Sequence, residues 1–258
     1  METEVIDYSI DAFKKNFRIV LFFSIPFLLA FAIPLLSPMP TYVSIGATFL
    51  RTGSMFVDLT YFDIALIFLS SLASLFLISF ATVAINLVIK SQRTLTNIRT
   101  EVIEGIEKYT ITIFLLYTLF LIFSLIVLLI SYEYGVEGLA TPLFSFFLSL
   151  MLFYVPAGIV IDELKPTEAM RMSLFMIKNK FALFLLWLVI GFLLLTAVDI
   201  VFIVLSGAIS GLISDPGERY IVLAVGRYVV LVINSLLIMP FLIILQTQMY
   251  LTKYTILK

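Results

Sequence analysis

Long stretches without an ionisable side chain recur along the chain between Arg18 and Lys253. A helix needs about 20 residues to cross the hydrocarbon core of a bilayer, which is about 30 Å thick, because each residue adds about 1.5 Å. Backbone amides in hydrocarbon must be bonded internally, so the spanning segments are expected to be helices. Most uncharged stretches exceed the required length, and in chain order they cover 19–50, 64–89, 109–132, 138–161, 181–198, 200–214 and 228–252.

This pattern predicts an all-α fold, a polytopic membrane helix bundle. The six predicted transmembrane helices are at about 17–36, 64–89, 110–130, 139–161, 181–206 and 221–250. Basic residues orient the bundle, because cytoplasmic segments of membrane proteins carry an excess of lysine and arginine. With the N-terminus in the cytoplasm, only Arg51, Arg219 and Arg227 of the 16 basic residues lie outside. We therefore expect a multi-pass protein of the cytoplasmic membrane with both termini in the cytoplasm.

Each odd-numbered span follows a short amphipathic stretch on the cytoplasmic side. Apolar residues recur at helical spacing in the first and third of these stretches, at Ile6, Ile10, Phe13 and Phe17 and at Met170, Leu174, Ile177 and Phe181. The second stretch begins like the first, with Thr-Glu-Val-Ile at 100–103 and at 3–6, but its middle matches poorly. Such stretches predict amphipathic elbow helices in the headgroup plane. We predict one membrane domain over 1–258 with three hairpin-like repeats, at about 1–90, 97–161 and 165–252.

The composition agrees with this class and excludes several functions. Hydrophobic residues make up 62% and charged residues 13%, whereas soluble domains carry roughly 25% charged residues. The net charge of −1 gives no basis for a nucleic-acid partner. Cysteine and histidine are both absent, which removes disulfides, thiol nucleophiles and imidazole chemistry, and we expect no enzyme, no cofactor and no metal. The scarcity of asparagine and glutamine is typical of a thermophile source.

One segment of the chain resembles a known family. Residues 155–181 read VPAGIVIDELKPTEAMRMSLFMIKNKF, in which a span ends near Pro156 and is followed by acidic residues, Glu168-Ala169, Ser173 and a basic residue before the next span. This order resembles the six-span membrane domain associated with glycerophosphodiester phosphodiesterases and its stand-alone relatives. The resemblance implies a helical integral membrane domain whose role is poorly defined. It does not imply the phosphodiesterase activity, which belongs to a separate soluble barrel with catalytic histidines, and it carries over no functional residue.

Polar residues inside the predicted spans are the candidates for an intramembrane site. Asp199 is the only carboxylate in a predicted span, and such residues are functional candidates by default. Arg227 lies at the same sequence distance from position 213 on the opposite arm of an external hairpin, so we expect an ion pair with Asp199 near the outer leaflet. The pair is either structural or part of a substrate or ion site. Asn86 and Asn234 are expected to form interhelical hydrogen bonds or to line a polar pathway.

Three further features concern the shape of the bundle. Prolines inside spans one, four and six predict helix kinks, which either serve a gate or fit the neighbouring helices, at Pro26, Pro156 and Pro240. The long apolar loop 37–62 is expected to form an interfacial helix, a cap or a re-entrant segment. Gly207 and Gly211 are four residues apart, a spacing that permits close helix contact.

These observations favour binding or passage of a small solute, ion or lipid by a non-enzymatic membrane protein. The alternative is a structural or partner-binding membrane module that does not transport. A lipid-modifying enzyme is a third hypothesis. The sequence argues against it, because intramembrane aspartyl chemistry would need a second aspartate in a span. Membrane lipid is the expected partner, with a homo-oligomer and a partner protein at the cytoplasmic elbows left open.

Overall fold

The structure, a computed structural model, describes residues 2–36, 61–94 and 96–255. All regular structure in these residues is helical, which confirms the predicted all-α bundle. The helices are α1 (Glu2–Lys15), α2 (Phe17–Leu36), α3 (Tyr61–Thr94), α4 (Ile98–Glu133), α5 (Glu137–Leu152), α6 (Val155–Ile161), α7 (Pro166–Asn179), α8 (Phe181–Leu212), α9 (Pro216–Ile233) and α10 (Met239–Leu251). A π-helical segment (Asn234–Ile238) joins α9 to α10, and a 3-10 turn (Thr252–Thr255) follows α10.

Five to six segments of the described chain are long and apolar enough to cross a membrane. The five are Ala65–Thr94, Ile98–Ser131, Gly138–Ile161, Phe181–Leu212 and Pro216–Tyr254. The sixth candidate is the first predicted span, which passes the same test together with α1 across a bend of 90°. The predicted multi-pass architecture is therefore confirmed at five to six spans. The predicted loop 37–62 lies outside the described residues, except for its last two positions, which begin α3.

Two of the three expected elbows are separate helices. Helix α1 ends at Lys15 and α2 begins at Phe17, and α7 and α8 are likewise separated by a single residue, Lys180. The prediction of a separate second elbow helix is wrong, because α4 runs without interruption from Ile98 to Glu133. An asparagine, which disfavours a helix interior, stands at the end of the first and third elbows (Asn16 and Asn179). The second stretch has no asparagine between residue 100 and its span, and its helix continues through Gly105 into the span.

Two prolines mark interruptions of the spans. Helix α5 ends at Leu152 and α6 begins at Val155, with Pro156 in the first turn of α6. Pro240 likewise lies in the first turn of α10, directly after the π-helical segment. Proline has no N–H and its ring clashes with the preceding turn, and a π-bulge is one way in which a helix accommodates it. Pro26, in contrast, lies within the continuous helix α2.

Helix α3 lies at the centre of the bundle and packs against α2, α4, α6 and α10. Every residue from 81 to 89 is buried, so the densest packing is found in the second half of this helix. The hairpin of α8 and α9 is one of the least buried parts of the bundle, because these two helices pack mainly on each other. Helix α9 has no buried residue. The large exposed apolar surface of this hairpin is what a membrane-facing element requires.

Candidate functional site at the charged end of the bundle

The structure does not form the predicted ion pair between Asp199 and Arg227. Both side chains are exposed, and the described residues contain no contact within 4.0 Å between their charged groups. The cause is the register of the hairpin. A Cβ added to Gly226 would lie 3.0 Å from Ser206 Cβ and 3.9 Å from the carbonyl oxygen of Phe202, so residue 226 faces a point between these two.

This register places the centre of the hairpin near residue 215 rather than 213. The shift displaces Arg227 by about 6 Å along the helix axis from Asp199, at about 1.5 Å per residue. In addition, Gly226 occupies the face of α9 that meets α8, so the next residue, Arg227, points away from that contact. The prediction counted residues from the turn to Asp199 and to Arg227, and such a count does not reveal how two helices are shifted along each other.

The two asparagine candidates lie in different surroundings. Asn86 on α3 is buried; its Nδ2 donates to the carbonyl oxygen of Thr82 at 2.8 Å, and its Oδ1 accepts from Thr247 Oγ1 on α10 at 2.7 Å. This is the interhelical hydrogen bond that was the ordinary expectation for a polar residue in a span. Asn234 begins the π-helical segment, and its Oδ1 has no hydrogen-bond partner within the described chain. The four predicted residues therefore do not form one site.

Polar side chains instead meet at one end of the bundle, where α3, α6 and α10 end and α4 begins. We call this group the collar cluster, and it consists of Lys90, Arg93, Glu101, Lys108, Asp162, Glu163, Tyr250, Lys253 and Tyr254. Asp162 and Glu163 directly follow α6, and each is the centre of one half of the cluster. Because all four helix ends are in contact there, they lie on the same side of the membrane.

The ion pair at the centre of the Asp162 half is largely buried. The Asp162 carboxylate forms an ion pair with Lys253, and their side chains are 12% and 6% exposed. Oδ2 of Asp162 also accepts a hydrogen bond from Tyr250, and Oδ1 accepts one from Tyr254 at 2.6 Å. Lys253 Nζ donates to the Tyr250 hydroxyl at 3.0 Å. The carboxylate is thus surrounded by donors, as a buried charge must be.

The Glu163 half is more exposed and bridges α3 to α4. Lys90 Nζ lies 3.0 Å from Oε1 and Lys108 Nζ lies 2.8 Å from Oε2 of Glu163. The hydrogen bond from Lys108, which has the larger effect, and the one from Lys90 lower the pKa of the Glu163 carboxyl from 4.5 to about 2. A lowered pKa means that this contact stabilises the fold above about pH 4.5 and that the contribution is lost as the pH falls towards about 2.

The backbone at Glu163 has a φ of +55°, in the left-handed region. This conformation costs a non-glycine residue of order 1 kcal/mol, and the two lysine contacts help to hold it. It turns the chain sharply out of α6 towards α7. In the same turn, the amide of Leu164 donates to the carbonyl oxygen of Gly158 at 3.3 Å. Asp162 and Glu163 therefore point to different partners although they are adjacent.

The interruption between α5 and α6 is stabilised by side chains from other helices. Ser173 Oγ on α7 accepts from the amide of Tyr154 at 3.1 Å and donates to the carbonyl oxygen of Leu150 at 3.0 Å. Gln246 on α10 donates to the carbonyl oxygen of Phe153. The segment quoted for the family resemblance thus folds as α6, the acidic turn and α7, and its Ser173 bonds the backbone at the break.

An apolar groove lies between the beginnings of α2 and α4, at the same end of the bundle. It has a volume of about 640 Å³ and is lined by Arg18, Ile19, Phe22 and Phe23 of α2 and by Asn97, Ile98, Arg99, Val102 and Ile103. Asn97 caps α4, because its Oδ1 accepts from the amide of Arg99 at 2.9 Å. Both arginines are exposed and neither forms an ion pair with a described carboxylate. The groove therefore has an apolar wall, and two arginines without a described carboxylate partner are among the residues that line it.

The carboxylates of the collar cluster that form ion pairs are bonded to lysines, and Asp162 also accepts from two tyrosines. Within residues 2–36, 61–94 and 96–255, no group of three or more acidic side chains could hold a metal ion. Sequence reasoning missed the cluster because it selected polar residues inside spans, whereas these residues lie at the ends of spans. The signal was the adjacent pair Asp162 and Glu163 at the end of span four, on the side where most basic residues were expected.

The fold and these contacts define the class: the chain is a multi-pass α-helical membrane protein with a polar cluster at one end. No protein-family model, curated protein or solved structure matches it.

Proposed function

We propose that this protein binds an anionic membrane lipid in the groove between α2 and α4, as a non-enzymatic protein. The groove itself is the observation that carries the proposal, because an apolar wall and two arginines without carboxylate partners face the same space. A guanidinium group binds a phosphate through two parallel hydrogen bonds, which favours arginine over lysine at such sites. The ligand would place its acyl chains against Phe22 and Ile103 and its phosphate between Arg18 and Arg99.

The selectivity of such a site would come from the headgroup. Acyl chains are already in hydrocarbon before binding, so their transfer into the groove adds little free energy. The last turn of α1 adds positive charge close to Arg18, since Lys14 and Lys15 are exposed there. A cytoplasmic position of this end, which we also propose from the distribution of basic residues, would place the groove at the leaflet that carries most anionic lipid.

Packing at the centre of the bundle favours binding at the periphery over passage through the middle. Residues 81–89 of α3 are buried, and Asn86 has hydrogen-bond partners for both its amide nitrogen and its oxygen. A water-filled route along α3 would require space beside these side chains. Within the function favoured by the sequence, binding or passage of a small solute, ion or lipid, we therefore propose binding.

A structural or partner-binding module is the second candidate. The collar cluster favours it, because ion pairs and hydrogen bonds hold the ends of four helices together. The face of α1 that is exposed carries both acidic and basic residues, as a protein-docking surface would: Glu4, Asp7, Asp11, Lys14 and Lys15. The resemblance to the phosphodiesterase-associated membrane domain is compatible with either candidate.

Lipid binding in the groove predicts that anionic lipid stabilises the protein through its arginines. The purified protein should unfold at a higher temperature with phosphatidylglycerol than with phosphatidylcholine, because a ligand present at about 100 times its Kd stabilises by about 2.7 kcal/mol. The double variant Arg18→Gln, Arg99→Gln should lose most of this difference. Filling the groove with Ile103→Trp should also remove it, and this residue is exposed enough to leave folding unaffected.

The matched control is Arg171→Gln, which removes an exposed arginine of α7 outside the groove and should keep the lipid effect. Inorganic phosphate and glycerol phosphate form a separate arm. A stabilisation by these soluble anions equal to that by the lipid would identify a phosphate site without lipid specificity. Equal lipid responses of the wild type and the double arginine variant would contradict the proposal.

A further inference from the structure

The hairpin of α8 and α9 is longer than one bilayer requires. Helix α8 has 32 residues, which corresponds to about 48 Å. Even a tilt of about 40°, at the upper end of the range for membrane helices, leaves it longer than the hydrocarbon core of about 30 Å. Its outer part is nevertheless apolar and exposed, and no residue from 192 to 233 is buried. Lipid tails alone would not cover this surface along its whole length.

The same hairpin carries two opposite charges that the monomer leaves unpaired. Asp199 on α8 and Arg227 on α9 are both exposed, and neither forms an ion pair with a described residue. Counted from Phe181 at the inner end of α8, Asp199 lies about 27 Å along the helix, near the outer boundary of the hydrocarbon. Charged side chains at membrane depth are costly and are usually paired. The hairpin therefore presents one acidic and one basic group that need partners.

A close-packing surface lies farther along α8. Gly207 and Gly211 are within the helix, which continues to Leu212. A Cβ added at either position would meet nothing within 4 Å, so both glycines face open space. Small residues at this spacing allow another helix to approach closely in a membrane. Each step of four residues turns about 40° around α8, so Gly207 and Gly211 lie about 80° and 120° around the helix from Asp199.

We propose that this hairpin is the contact between two copies of the chain. In a dimer with a twofold axis along the membrane normal, Asp199 of each copy meets Arg227 of the other. Both positions lie within about 6 Å in depth, which the long arginine side chain can bridge. A twofold contact repeats every interaction, so one complementary pair on the monomer gives two ion pairs in the dimer. The open side of Gly207 and Gly211 then receives the neighbouring helix, and the apolar outer part of the hairpin becomes covered. This inference concerns a surface separate from the lipid groove.

Charge exchange tests whether the pairing occurs between copies. The oligomeric state of the purified protein would be measured by mass photometry in lipid nanodiscs. Disulfide cross-linking in native membranes would add a second readout, from Gly207→Cys in this cysteine-free chain. The wild type should be dimeric. Asp199→Arg alone and Arg227→Asp alone should each lower the dimer fraction about tenfold, because like charges would then meet, and the double exchange should restore it. Two differently tagged copies, one with each single exchange, should also associate with each other.

Steric variants and a matched control complete the test. Gly207→Ile with Gly211→Ile should abolish the dimer without affecting the fold, because both positions face open space in the monomer. Gly138→Ile on α5, where a Cβ also meets nothing within 4 Å, should leave the dimer intact. A monomeric wild type, whether lipid or another protein covers the hairpin, would overturn the proposal. A dimer that is indifferent to both single charge exchanges would overturn it as well. Neither result depends on whether Arg18 and Arg99 bind lipid.

Discussion

Lys253→Met is expected to destabilise the protein by about 3–5 kcal/mol, because it leaves the buried carboxylate of Asp162 without its cation. Asp162 retains the hydroxyl donors of Tyr250 and Tyr254, but these carry no charge. Methionine keeps the length of the lysine stem, so the loss of packing should be small. The free energy of unfolding in a mild detergent, measured by urea titration or thermal denaturation, would give the effect.

The double variant Asp162→Asn, Lys253→Met distinguishes destabilisation by an unpaired buried charge from destabilisation by lost side-chain packing. Removal of both charges relieves the desolvation of each ion, so the double variant should be less destabilised than the sum of the two single variants. The control is Lys108→Met, whose ion pair with Glu163 is exposed and should therefore contribute little to stability. Equal effects of Lys253→Met and Lys108→Met, or additive single effects, would contradict a coupled buried pair.

Ser173→Ala should destabilise by about 1–3 kcal/mol, the cost of leaving buried polar groups without partners. The serine hydroxyl is the bridge between the amide of Tyr154 and the carbonyl oxygen of Leu150 at the break between α5 and α6. The same measurement of unfolding applies. Ser149→Ala is the matched control, because Ser149 is exposed and bonds only the carbonyl oxygen of Ser145 in its own helix. A change at Ser173 as small as that at Ser149 would show that the break does not depend on the hydroxyl.

Local patterns in the sequence were sufficient to predict most of the helical architecture. Runs of uncharged residues placed the spans, and the proline in span four pointed to the interruption that the structure has before Pro156. The apolar spacing of residues 6–17 and 170–181 predicted the elbows α1 and α7. These features depend on periodicity and on backbone chemistry within one segment, which the sequence displays directly. The elbow expected from the Thr-Glu-Val-Ile match at 100–103 is absent, because the helix continues through Gly105 into the span.

Contacts between segments were beyond this kind of reasoning. The expected pairing of Asp199 with Arg227 assumed a symmetric hairpin, but the close approach of Gly226 to Ser206 fixes a different register. The collar cluster depends on where four helix ends meet, and its partners are distant along the chain, as with Asp162 and Lys253. Ser173 and Gln246 can bond the backbone at the break between α5 and α6 only because α7 and α10 pack against it. None of these is encoded in a local pattern.

The most direct measurement is the accessibility of single cysteines to a membrane-impermeant reagent on both sides of sealed vesicles. The native chain has no cysteine, so each introduced thiol is the only one labelled. Thr100→Cys and Tyr134→Cys lie near opposite ends of α4 at exposed positions. If the apolar helices cross the bilayer and the N-terminus is cytoplasmic, as we propose, right-side-out vesicles should label residue 134 and not residue 100, and inverted vesicles should give the reverse. Labelling of both residues from the same side would contradict a transmembrane α4 and the multi-pass fold built around it.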